Sequence, residues 1–170
     1  MTALGGGVVV RQARPGEYPI IGALTIAAYA PVHPAQDDLV YLDELRDVAA
    51  RAACCTVYVA VDVSTDTVLG SVTYVPGPGT PLSEKERDGE AGFRMLAVAP
   101  EAQGRGVGRA LVEACIARAR GDGRRRLLLL TLPTMTKARG LYGSMGFARA
   151  PERDWYVSET IDLKAWSLDL

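Results

Sequence analysis

The stretch "APEAQGRGVGRALVEACIARAR", Ala99 to Arg120, places Gly104, Gly106 and Gly108 two residues apart, directly before a run with helical apolar spacing. Glycine inside a helix costs roughly 0.5–1 kcal/mol relative to alanine, so three at a helix entrance need a reason. Either the entry is an ordinary surface turn, or something must lie against the main chain. Val107, Leu111, Val112, Cys115, Ile116 and Ala119 share one face of the helix expected from about Gly106, and Gly121 can end it. Upstream, "AGFRMLAVA" (Ala91–Ala99) reads as a strand. Strand, glycine-rich turn and helix together make an anion site by electrostatics alone. The first helical N–H groups lack partners, and the helix dipole puts partial positive charge at that end. Arg105 and Arg109 add charge at the same place.

Working outward, "VVVRQAR" (Val8–Arg14) is expected as a first strand, followed by a helix through "EYPIIGALTIAAYA" (Glu17–Ala30). "PVHPAQDD" (Pro31–Asp38) is a loop by its prolines, and "LVYLDELRDVAARA" (Leu39–Ala52) reads as one helix. "CTVYVAVDV" and "TVLGSVTYV" alternate and are β-branched around "STD", which predicts a hairpin. "PGPGTPLSEKERDGE" (Pro76–Glu90) has the composition of an exposed loop, its charges Glu84, Glu86 and Asp88 solvated. "RRRLLLLTL" is a buried-type strand, and Thr134 is expected to cap a short helix closed by Gly146. "FARAPERDWYVS" and "ETIDLKAWSLDL" supply terminal strands. The order implies an α/β fold of one domain over 1–170: a mixed, mostly antiparallel sheet of about seven strands flanked by about four helices.

The chain has 170 residues, formal net charge −1, and is 48% hydrophobic and 23% charged. A near-neutral chain carries no general attraction to nucleic acid or to an anionic membrane, so any anion site is local. "RARGDGRRR" (Arg118–Arg126) has no interleaved aromatics and reads as a solvated helix end, not an RNA patch. Cys54, Cys55 and Cys115 lack metal-ligand spacing, so no metal is expected and all three read as small apolar residues of a reducing compartment. No apolar run is long enough to span a bilayer and no signal-peptide pattern opens the chain, which makes the cytoplasm the expected location. Two nucleotide motifs fail: no G-x-x-x-x-G-K-[ST] string occurs, and a dinucleotide fingerprint would need glycine where Arg109 stands.

"LAVAPEAQGRGVGRAL" resembles motif A of the GCN5-related N-acetyltransferases, whose Q/R-x-x-G-x-G/A core falls on Gln103, Gly106 and Gly108. "ARGLYGSMGF" resembles a second segment of that family, A-x-x-L-Y-x-x-x-G-F, at Ala138, Leu141, Tyr142, Gly146 and Phe147. The resemblance implies a sheet splayed between its fourth and fifth strands, and acetyl transfer from acetyl-CoA to a primary amine by direct attack in a ternary complex. It implies that amides of Gln103, Gly104, Arg105, Gly106, Val107, Gly108 and Arg109 hold the coenzyme's pyrophosphate. Backbone groups of Leu96, Ala97 and Val98 would pair with the pantetheine arm, a ligand adding as a strand. The partner is then a small-molecule or peptide amine acceptor. Relatives often dimerise, so a homodimer is an expectation as well.

An alkyl ammonium of pKa near 10.4 is only about one part in 2,500 free amine at pH 7, a deficit of roughly 4.6 kcal/mol. Something must take its proton. Family members often carry a glutamate four residues before the Leu-Ala-Val start, where this chain has Gly92. Glu90, two residues earlier and on the same strand face, is the expected base, acting through water. Tyr142 matches the family's tyrosine beside the coenzyme sulfur and is expected to hydrogen-bond the departing thiolate. Met135 stands where many relatives have an asparagine, with Thr134 and Thr136 as substitutes for its contact. Tyr29 and His33, beside the loop after the first helix, are the expected acceptor contacts, and "ERDWY" (Glu152–Tyr156) approaches the same pocket. The rival class is a binding module that holds coenzyme A as a sensor without turnover; Gly92 favours it and Tyr142 opposes it.

Overall fold

The computed structural model describes residues 2–4, 7–33 and 38–170, so residues 34–37 of the expected Pro31–Asp38 loop lie outside the described residues. The chain runs β1 (Thr2–Leu4), β2 (Val8–Gln12), α1 (Tyr18–Tyr29), α2 (Leu39–Arg46), α3 (Val48–Cys54), β3 (Thr56–Asp62), β4 (Thr67–Val75) and β5 (Glu90–Val98). It continues with α4 (Val107–Gly121), β6 (Arg126–Thr131), α5 (Thr136–Ser144), β7 (Ala148–Arg149), β8 (Trp155–Ser158) and β9 (Ile161–Asp169). The strands lie in the order β1-β2-β3-β4-β5-β6-β9-β7, with β8 on β9. Alternation along β3 sends its side chains to both faces, and helices cover each one. Val57, Val59 and Val61 pack with Ile21 of α1 and Val48 of α3. Ala60, from the same strand, joins Val107, Leu111 and Cys115 of α4 and Tyr142 of α5 in the other cluster.

The expected α/β sheet is observed, with three corrections of detail. Among the described residues nine strands form, because β1 adds an edge and the turn Pro151–Arg153 divides the expected "FARAPERDWYVS" strand into β7 and β8. The helix expected over Leu39–Ala52 breaks at Asp47, whose backbone leaves the helical region (φ −78, ψ 74) and whose side chain accepts from Ala50 N at 2.9 Å. A residue good at capping competes here with helix continuation and wins. Thr134 does not cap α5. Its hydroxyl donates instead to the Val32 carbonyl at 2.9 Å and ties the start of α5 to the end of α1.

Two local features open the middle of the sheet. The parallel pair β5–β6 is short, pairing only Glu90–Gly92 with Arg126–Leu128. Beyond it the strands part, which is the splay expected between the fourth and fifth principal strands. In addition, β5 carries a bulge opposite Val72, where Met95 takes φ +52 and the register with β4 shifts. A bulge bends its strand and re-aims the side chains after it, here Leu96 to Val98. No helix among the described residues is long and apolar enough to cross a membrane.

Candidate active site

The gap between β5 and β6 continues into a cleft of about 720 Å³ that runs to the N-terminus of α4. Gln103, Gly104, Gly106, Val107, Gly108 and Arg109 line its far end, and Leu96, Val98, Thr134 and Thr136 line its flanks. Gly106 is the N-cap of α4 at φ +80, a left-handed conformation that suits residues without a Cβ. The first bond into the helix runs from Ala110 N to Gly106 O at 3.0 Å. The amides of Val107, Gly108 and Arg109 therefore precede the helical ladder and face the cleft mouth. A Cβ built on Gly104 or Gly106 would meet nothing within 4 Å, so their lack of side chains serves no packing within the chain. The space is open for something outside it. Lys137 reaches Gln103 Oε1 at 3.3 Å, and Arg109 donates to Ser144 Oγ at 2.8 Å, joining α5 to the turn.

Two residues expected to offer main-chain groups here turn their side chains elsewhere. The Arg105 guanidinium turns to Asp62, 3.8 Å away, and does not line the cleft. Ala97 is 1% exposed and packs into the core between Leu96 and Val98.

A second cavity of about 310 Å³ meets the first at Tyr29, Leu96, Leu130, Met135 and Tyr142. Tyr29, His33 and Trp155 all line it. His33 stacks on Tyr41 with ring centroids 3.9 Å apart. Burial lowers its affinity for a proton, and Asp38 only partly opposes that. Tyr142 sits at the junction, 5% exposed, with its ring edge-on to Phe93 at 5.7 Å. Burial first, then Tyr29 and Cys115, push its phenol well above the usual range, so it remains a proton donor at any ordinary pH. Burial likewise pushes Tyr29 up to about 12, against a hydrogen bond from the Leu96 backbone.

Glu90 is not brought to either cavity. It is 2% exposed and paired with Arg153, which donates to both its oxygens at 3.2 and 2.8 Å. Arg87 N donates to it at 2.9 Å and Arg126 lies 3.6 Å away. Burial works to raise this carboxyl, but Arg153, the Arg87 amide and Arg126 outweigh it and hold it below the usual range. A carboxylate so neutralised is a poor base. Arg153 also donates to the Lys85 carbonyl, so the clamp pins the Pro76–Glu90 loop to the turn before β8.

Glu90→Gln is therefore expected to destabilise the fold by about 3–5 kcal/mol, because it leaves a buried guanidinium without its charge partner. Chemical denaturation of the variant measures this; acetyl transfer by the remaining folded protein should be unchanged. A depressed folded pKa means the pair stabilises fully above the unfolded value of about 4.3. That contribution is lost as pH falls from there through the folded value, so wild type should lose more stability below pH 4 than the variant.

Sequence reasoning missed the pairing of Arg94. Glu84 and Glu86, expected as solvated loop charges, both bind this guanidinium, and Glu84 lines the second cavity with Asp38, Glu44 and Tyr41. No local signal marked these partners, which lie 8 and 10 residues from Arg94 across an irregular loop. In the Arg118–Arg126 run, Arg118 pairs with Asp122 one turn on and Arg126 with Asp169 of β9.

A cleft at a splayed parallel strand pair, ending on a glycine-rich helix start and meeting a second cavity at a buried tyrosine, is the architecture of an acyl-group transferase. The sequence model of the Acetyltransferase (GNAT) family matches residues 20–147, and the chain belongs to this family. Among solved structures it is similar to a GCN5-related N-acetyltransferase from Kribbella flavida, at 26% identity over 96% of this chain and 98% of that one, with a TM-score of 0.70. A GNAT acetyltransferase from Brucella melitensis, solved in complex with acetyl-CoA, is 26% identical over 95% of this chain and 87% of that one, with a TM-score of 0.62. The yncA protein from Salmonella typhimurium, solved with its cofactor acetyl-CoA, shares the fold at 22% identity, covering 96% and 94%, with a TM-score of 0.65. No match was found among the curated proteins.

Proposed function

We propose that this chain, as a single domain over 1–170 in the cytoplasm, moves an acetyl group from acetyl-CoA to a primary amine by direct attack with both substrates bound. The observation that carries the reading is the junction of two cavities at Tyr142 and Leu96, one ending on the amides before α4 and the other walled by aromatic and acidic side chains. The first cavity suits a diphosphate and a thin thiol-bearing arm. The open space at Gly104 and Gly106 lets phosphate oxygens reach the main chain, where helix-end amides and the dipole favour negative charge. The Leu96–Val98 edge, unpaired on the β6 side, offers backbone groups to the pantetheine amides. The second cavity takes the amine, and Tyr29 and Tyr142 stand where the two substrates meet.

Tyr142 donates a hydrogen bond to the sulfur as it gains charge. An unperturbed phenol near pKa 10 gives up its proton to a thiolate near 8.5 at a cost of about 2 kcal/mol. Burial raises the phenol further, so its part is to hold the anion.

Acetyl-CoA should raise the melting temperature, since a ligand held only by the folded state at 100 times its Kd adds about 2.7 kcal/mol of stability. Differential scanning fluorimetry measures the shift, and thiol release on adding an amine panel measures turnover. A shift without thiol release from any amine would identify a sensor that binds coenzyme A without catalysis.

A further inference from the structure

The family's usual strand carboxylate is missing at Gly92, and the structure shows what occupies its volume. A Cβ on residue 92 would lie 2.1 Å from Glu86 Oε1 and 3.0 Å from Glu86 Cδ. With Glu86 held where it is, only glycine fits beneath that carboxylate. Glu86 is 3% exposed and receives Arg94 Nη2 at 3.2 Å and the Glu84 amide at 2.7 Å. The other arm of Arg94 pairs with Glu84, while its Nε donates to the Leu82 carbonyl. One guanidinium thus serves two carboxylates. Glu86 takes its share in the interior, and Glu84, 29% exposed, stands on the wall of the second cavity with negative charge left over. Asp38 and Glu44 add to that charge, and Leu45, Phe93, Trp155 and Leu163 give the wall an apolar part.

We propose that Glu84 receives the acceptor's ammonium in this cavity and takes its proton, replacing from the loop the carboxylate that the strand lacks at Gly92. The acceptor class that fits is a primary amine on an apolar body. The inference rests on the N-acetyltransferase reading above. One ammonium proton passes to the Glu84 carboxylate, and the freed nitrogen pair forms a C–N bond to the thioester carbon. The carbonyl pair moves to oxygen and returns as the C–S bond breaks, the sulfur leaving with its electrons. A second nitrogen proton goes to that thiolate, and Glu84 returns its proton to solvent.

Burial raises the Glu84 carboxyl, Arg94 opposes this, and Glu86 and Glu44 reinforce it, so the group is a stronger base than a solvated glutamate. Arg94 of β5, Glu86 of its own loop, Glu44 and Tyr41 of α2, Asp38 and His33 before α2, Tyr29 of α1 and Tyr142 of α5 are the titratable groups around it.

The test is single-turnover transfer from acetyl-CoA to 2-phenylethylamine, with hexylamine, spermidine and an alanyl peptide alongside. Glu84→Gln should react about 10²–10⁴-fold more slowly at pH 7, with the deficit shrinking as pH rises and free amine appears. Acetyl-CoA titration should be unchanged. Glu84→Asp keeps the charge against Arg94 but withdraws it by one methylene; it should be slower than wild type while keeping the wild-type pH profile. Glu84→Gln matching wild type at every pH, or Glu84→Asp as slow as Glu84→Gln with the same pH dependence of the deficit, overturns the role of Glu84 and leaves the transferase reading standing. A wild type that binds acetyl-CoA and acetylates none of the four amines overturns that reading, and this inference with it.

Discussion

Gly106→Asp is expected to abolish acetyl-CoA binding while leaving a folded protein. Gly106 caps α4 in left-handed backbone, where a residue with a Cβ costs about 1–2 kcal/mol. Aspartate recovers part of that as a good N-cap, since its carboxylate accepts from the amides of the first turn. Those amides are the ones proposed to hold the diphosphate. The variant satisfies them internally and sets a negative charge against the ligand's own. The ligand-induced stabilisation of about 2.7 kcal/mol at 100 Kd should vanish, and titration calorimetry should show no saturable heat. Gly108→Glu should give the same loss with an added packing cost, because its Cβ would sit 3.3 Å from Leu141 Cδ2 and 3.6 Å from Val98 Cγ2. Unchanged affinity in both variants would remove the explanation offered for the glycines.

Tyr142→Phe is expected to slow acetyl transfer by about 10²–10³-fold, the range for removing one hydrogen-bond donor to a developing anion, without weakening acetyl-CoA. The ring makes the packing. It sits between Phe93 and Phe147, with centroids 5.7 and 5.9 Å away, and phenylalanine keeps both contacts. Tyr142 lines both cavities, and the substitution removes only its hydroxyl, so the melting temperature should barely move. Single-turnover transfer at saturating acetyl-CoA isolates the chemical step from product release. A variant as fast as wild type would make Tyr142 a core residue only.

The two predictions rest on parts of the chain that were legible for different reasons. The glycine turn, α4 and the "LYGSMGF" segment are local patterns: a strand, backbone freedom at fixed spacing, and one apolar face. Short-range sterics and helix-end electrostatics decide those, and they act between residues close in sequence. The break at Asp47 was harder to read, because a helical apolar pattern continues through it and only the choice of cap over continuation ends α2.

The proton acceptor was not legible at all. Strand parity pointed to Glu90, but parity says which face a side chain takes and nothing about what waits there. Arg153, 63 residues away, neutralises it in the interior. The loop acids looked solvated because their composition is that of a surface, yet Arg94 gathers two of them and sets Glu84 on a cavity wall. By itself the sequence determined the family, most of the order of elements and the glycine-rich turn before α4, all written in contiguous residues. Which carboxylate is buried and paired and which faces a cavity was decided only by tertiary structure. Desolvation and ion pairing depend on where distant segments meet, and no local pattern records that.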